Sequence, residues 1–136
     1  MSEDIRKVMR RHWEHVWPEA DVAGLAETVH PDCVNHEAPP GAPQGFEGVK
    51  QTMLWLAGVF SEQRYEIQRM VAEGDTVAVR LIHSGVHTGE LMGLPPTGRR
   101  FAYPHMHIVR FADGLGVEHW AVRDDATLMR QLTAAV

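Results

Sequence analysis

The apolar residues of this chain change period at Phe60, and that change decides which fold classes are open to it. Before it, Ile5, Val8, Met9, Trp13 and Val16 recur at the three- and four-residue spacing of one helix face, which predicts a helix from Ile5 to Trp17 blocked by Pro18. A second short helix is expected from about Asp21, a candidate N-cap, to Val29, with His30 and Pro31 ending it. Cys33 to His36 reads as extended chain before a loop holding Pro39, Pro40, Gly41, Pro43 and Gly45, and helical spacing returns through Val49, Met53, Leu56 and Phe60.

After Phe60 the alternation is that of strands. Tyr65, Ile67 and Arg69 lead to a turn at Gly74 and Asp75, and Val77, Val79 and Leu81 then form one face of a longer strand that His83 and His87 share by parity. A Gly- and Pro-rich loop from Gly93 to Gly98 precedes a strand from Phe101 to Phe111. A turn at Asp113 and Gly114, a strand from about Val117 to Arg123, and a helix from Ala126 to Leu132 follow. Three helices followed by strands with short connections imply an α+β fold: a cone-shaped α+β barrel, its curved antiparallel sheet carrying about three helices on the concave face around a cavity. Connections this short exclude a parallel nucleotide-binding sheet.

At 136 residues the chain is expected to form a single domain, residues 1–136, with no room for a separate cofactor domain. A formal charge of -5 leaves no basic stripe for a phosphate backbone, so a nucleic-acid partner is not expected. Cys33 is the single cysteine, and no apolar run approaches the roughly 20 residues of a membrane span, so the expected location is cytoplasmic, with no membrane partner.

His105 and His107 lie two residues apart in the strand from Phe101 to Phe111, so both imidazoles share a face with Phe101, Tyr103, Val109 and Phe111. Polar rings on an apolar face suggest a lined cavity. If the hairpin at Asp113 and Gly114 has an even-numbered loop, residue 112 pairs with 115, His107 falls opposite Trp120, His105 opposite Val122 and Tyr103 opposite Asp124. Opposed Cβ atoms lie about 4.5 to 5.5 Å apart, which would bring Asp124 within reach of His105. A three-residue loop instead sets His107 opposite His119 and makes Asp125 the carboxylate on the histidine face. The first register is favoured because it groups Trp120 and Val122 with the aromatic face.

A desolvated aspartate beside imidazoles suits proton abstraction next to a carbonyl. An isolated His-x-His is otherwise more often structural, and His105 and His107 could ligate zinc with His119 or Asp124. The hairpin pairing favours an acid/base wall, and no metal or cofactor is expected.

Several segments then resemble the SnoaL-like polyketide cyclase family, of the nuclear-transport-factor-two-like superfold. They are Glu73-Gly74-Asp75 with Val77 and Arg80, His87-Thr88-Gly89-Glu90, Gly93 to Arg99, Arg110-Phe111, Asp113-Gly114, Glu118-His119-Trp120, Asp124, and Gln131-Leu132. The resemblance covers roughly Val34 to Leu132. It implies a cofactor-free intramolecular aldol condensation of a small hydrophobic polyketide ester, with Asp124 as acid/base, His107 as its catalytic partner, and a homodimer. His105, Asn35, Trp120 and Tyr103 would bind the substrate. Two features depart from the family pattern: His105 stands where an amide is frequent, and Thr133 where a glycine commonly ends the helix. Because the superfold hosts several chemistries, the alternatives are an epoxide hydrolase, for which Asp124 with Arg80 or Arg99 is a loose match, a hydroxylation-assisting protein, or a non-catalytic module binding a hydrophobic ligand.

Overall fold

The computed structural model describes residues 2–134. Helix α1 (Ser2–Arg11) runs into a single π-helical turn, His12–Val16, and a last turn α2 (Trp17–Glu19) that Ala20 closes in a left-handed conformation. Pro18 lies within this continuous helical run, directly after the π turn and Trp17, so the helical stretch runs slightly past the expected stop. The wider π turn buries both Trp13 and Val16. Asp21 caps α3 (Val22–Ala26) as expected, accepting the Gly24 N–H.

The segment after α3 is longer than the sequence suggested: β1 (Val29–Asn35) is a full strand. Helix α4 (Gly45–Val59) follows, then β2 (Phe60–Glu73), β3 (Thr76–His87), β4 (Arg100–Ala112), β5 (Leu115–Arg123) and α5 (Asp125–Thr133). Gly45 has φ +72°, and a Cβ there would collide with the Pro31 carbonyl, which is how α4 starts tight against β1.

The five strands lie in the order β1-β5-β4-β3-β2. Strands β2 to β5 form the expected antiparallel meander, while β1 pairs parallel to β5, so the sheet is mixed. Period-2 burial follows directly: Val77, Val79 and Leu81 on β3 and Phe101, Tyr103, His105 and His107 on β4 are all buried on the concave face. They pack beneath Ile5, Met9, Trp13 and Val16 of the first helical stretch and Met53 of α4. A second cluster, built on Phe60, Phe101, Tyr103, Leu128 and Leu132, seats α5 across the start of β4.

The expected β4–β5 register does not form, in either version. The loop is the two-residue one, with Ala112 opposite Leu115 and positive φ at Asp113 and Gly114. One step later Phe111 meets Gly116, and Arg110 already meets Glu118, so β5 carries an extra residue. The Gly116 N–H is taken by the Thr28 carbonyl, and a Cβ at Gly116 would lie 3.0 Å from Val109. The bulge moves His107 opposite Ala121 and His105 opposite Arg123. His119, Ala121 and Arg123 therefore face inward, and Trp120 and Val122 do not.

Candidate functional site

The concave face closes on a cavity of about 410 Å³. Its aromatic wall is made by Trp13 and Trp17 from the first helical stretch, Trp55 from α4, and Tyr65 and Tyr103 from the sheet. Polar groups enter it from β3 and β4 with His83 and His105, from β5 with Arg123, and from the edge with Asn35, Glu37 and Asp125. A second cavity of about 70 Å³ lies behind it, reached by His12, Asn35, His119 and Arg123.

Asn35, His119, His107 and His105 form a line whose proton positions can be read from one end. The Oδ1 of Asn35 accepts the Glu37 N–H at 3.0 Å, which fixes the orientation of that amide. The Nδ1 of His119, 3.2 Å from the same oxygen, must then be its protonated nitrogen. A neutral His119 offers Nε2 as acceptor, and His107 donates to it through Nδ1–H at 2.8 Å. His107 Nε2 in turn accepts from His105 Nδ1–H at 3.2 Å. The line ends at His105 Nε2, which carries a lone pair and has no partner although it is buried.

Burial keeps the rings neutral. It is the largest cause lowering His105 to about 2 and His119 to about 4, with the nearby positive charge of Arg123 acting in the same direction. His107, its ring centroid 4.3 Å from that of Trp13 at a 39° tilt, is also held well below its ordinary value, first by burial and then by its neighbours His119, Arg123, His105 and His12. On the other side of His105, Gln63 Oε1 accepts from the Tyr65 hydroxyl and from His83 Nε2–H, both at 2.8 Å. His83 Nδ1 is thereby left to accept the Tyr103 hydroxyl at 3.3 Å. Burial raises the Tyr103 phenol above its ordinary range, so it stays a neutral donor.

Of the six residues singled out from the sequence, His105, Asn35 and Tyr103 line the cavity. His107 does not line it; it stands behind His105 and holds it. Trp120 belongs to the outer side of the sheet, paired with Ile108 and stacked on His36 at 4.7 Å, and this corrects its expected place beside the aromatic wall. Asp124 is not opposite Tyr103 on β5. It is the exposed N-cap of α5, where one oxygen accepts the Thr127 N–H at 3.1 Å and the other the Thr127 hydroxyl at 2.7 Å. Those bonds hold its carboxyl below the usual range, and the cavity takes its neighbour Asp125 instead.

The sequence reading passed over His83, Tyr65 and the three tryptophans of the wall. His83 had a usable signal, since it shares parity with Val77, Val79 and Leu81. The tryptophans sit at helical core spacing, and nothing in the chain separates a core ring from a cavity ring. Among the described residues no group of three or more His, Cys, Asp or Glu is arranged to hold a metal ion. No described helix is long and apolar enough to cross a membrane.

Comparison with known proteins gives a consistent picture. A family model described as SnoaL-like polyketide cyclase matches residues 7–132. The nogalonic acid methyl ester cyclase of Streptomyces nogalater is 35% identical over 108 residues, covering 78% of this chain and 81% of the relative. The aklanonic acid methyl ester cyclase AcmA of Streptomyces galilaeus is 32% identical, covering 97% and 92%. Among solved structures, TsrD from Streptomyces laurentii superposes with a TM-score of 0.91 at 27% identity, covering 99% of this chain and 98% of TsrD. IdmH from Streptomyces antibioticus does so with a TM-score of 0.83 at 32% identity, covering 94% and 97%.

Proposed function

Since this chain belongs to the SnoaL-like polyketide cyclase family, we propose that it closes a ring in a polyketide by a cofactor-free intramolecular aldol condensation inside the aromatic-walled cavity. The observation that carries this reading is the unpartnered lone pair of His105 Nε2, buried in a residue that lines the cavity. A proton passes from a carbon flanked by two carbonyls to His105 Nε2, and the C–H electron pair becomes an enolate. The enolate carbon attacks a ketone of the same molecule, forming the new C–C bond, and the resulting alkoxide takes the proton back from His105 Nε2–H.

A ring held neutral to about 2 is a weak base in the empty site. Its protonation becomes favourable when a negative oxygen develops beside it, so the stabilisation is larger in the transition state than in the ground state. The Tyr103 hydroxyl, released from His83, supplies a neutral hydrogen bond to that oxygen. The line His107–His119–Asn35 keeps the His105 proton on Nδ1 and the lone pair toward the substrate. An activated methylene is already acidic, so positioning in a closed pocket supplies much of the remaining rate.

The test is incubation of pure protein with β-keto esters, with and without a second, separate carboxylate, that carry a pendant ketone. The expected result is a ring-closed product and faster exchange of the activated C–H in deuterated buffer. Neither product nor exchange above the buffer rate would overturn the reading.

We also read the outer sheet face, where Met106, Ile108 and Val122 are exposed around Trp120, as the surface of a homodimer. Light scattering checks it: a dimer mass that Val122→Lys reduces to a monomer is expected, and a monomeric wild-type protein at tens of micromolar would overturn it.

A further inference from the structure

Arg123 lies directly across the ladder from His105 and lines both cavities. Arg123 is the only lysine or arginine lining the large cavity, and it forms no ion pair among the described residues. Neither carboxylate of the large cavity forms an ion pair with it. Glu37 accepts the Ala121 N–H at 3.2 Å, and Asp125 starts α5 with no ion pair to Arg123. The other polar groups around it are neutral: His83, His105 and His119 are held unprotonated, and Tyr65 and Tyr103 keep their protons.

A partly buried cation with no ion-pair partner is costly to keep unless a ligand completes it, and a guanidinium matches a carboxylate with two parallel hydrogen bonds. We propose that Arg123 binds a carboxylate of the substrate separate from the two carbonyls that flank the reacting carbon, so that this chain takes an aromatic, fused-ring carbonyl compound carrying that group as the free acid in preference to the methyl ester. The proposal deepens the cyclase reading and rests on it for the reacting carbonyls. Trp13, Trp17 and Trp55 provide the apolar faces for the rings, and Arg123 fixes which end of the molecule faces His105. The relatives named above are described as methyl ester cyclases, so the acid terminus would distinguish this chain from them. A site built around a charged partner discriminates more strongly than an apolar pocket, because the ester leaves the guanidinium unpaired.

Isothermal titration with 9,10-anthraquinone-2-carboxylate and its methyl ester tests this without any need for turnover. The wild type is expected to bind the acid at least about tenfold more tightly than the ester, in line with a charge-assisted pair. Arg123→Gln should weaken the acid about tenfold or more and leave the ester within about twofold, and Arg123→Lys should retain part of the preference. Circular dichroism of each variant confirms the fold. Equal or tighter ester binding by the wild type, or an acid preference that survives Arg123→Gln, would overturn the proposal. Ring closure of a polyketide ester but not of its acid would do so too, with the cyclase reading intact. Acid preference lost in Arg123→Gln, with no ring closure of either compound, would support the carboxylate site and sink the cyclase reading instead.

Discussion

Replacing His105 by glutamine is expected to lower kcat for ring closure by about 10²- to 10⁴-fold, the usual contribution of a positioned general base, with KM changed little. Glutamine keeps a similar volume and an acceptor oxygen but cannot take the proton, so the variant separates basicity from packing. Deuterium exchange at the activated carbon should fall in parallel, because proton removal is the step that His105 serves. Asp124→Asn, by contrast, is expected to retain kcat within about twofold. It weakens only the cap that Asp124 makes with Thr127, and a melting temperature lower by a few degrees is the expected trace of that change. Loss of turnover in Asp124→Asn with turnover retained in His105→Gln would reverse the assignment of the base. Because His105 titrates near 2 in the free protein, kcat/KM should show no acid limb from this residue over the range in which the fold survives.

That range should end abruptly, which is the second large effect. His12, His83, His105, His107 and His119 are all held neutral in the fold, with His12 and His83 near 3, while in the unfolded chain each titrates near its ordinary value of 6.5. Between those values the unfolded state binds more protons than the folded one, so the stability these rings permit is fully present above about pH 6.5 and is lost as the pH falls below it. Each ring costs about 2 kcal/mol by pH 5, and five together on the order of 10 kcal/mol, comparable to the whole stability of an ordinary domain.

Cooperative unfolding near pH 5 is therefore expected, with uptake of about five protons read from the slope of unfolding free energy against pH. Chemical denaturation at several pH values measures that slope. A midpoint below pH 4, or a slope of a single proton, would show that the rings charge within the fold. The same burial that makes His105 an unprotonated acceptor is what makes the protein acid-labile, so both effects trace to one cause.

Much of the fold is legible in local pattern. The change of period at Phe60, the Asp21 cap and the short turns predict helices followed by a meander, because those signals act over a few residues. What escapes is pairing between distant segments. Nothing near Val29 announces a parallel partner in β5, since a strand's own alternation does not name its neighbour. The cavity's tryptophans are invisible for a similar reason: Trp13 touches His107 from a segment far away in the chain.

The amino-acid sequence by itself determined that His105, His107 and Tyr103 share one face of a strand, because the side-chain period of two is intrinsic to extended backbone. It also carried the family resemblance and the turn at Asp113 and Gly114. The tertiary structure decided what stands across from that face. One extra residue at Val117, next to the Gly116 N–H that the Thr28 carbonyl takes, shifts β5 by one position. It turns Trp120 and Val122 outward, brings His119 and Arg123 inward, and leaves Asp124 to cap α5. A one-residue shift exchanges the two faces of a strand, so one bulge, in the stretch where β5 meets the Thr28 carbonyl, selects the groups that line the cavity.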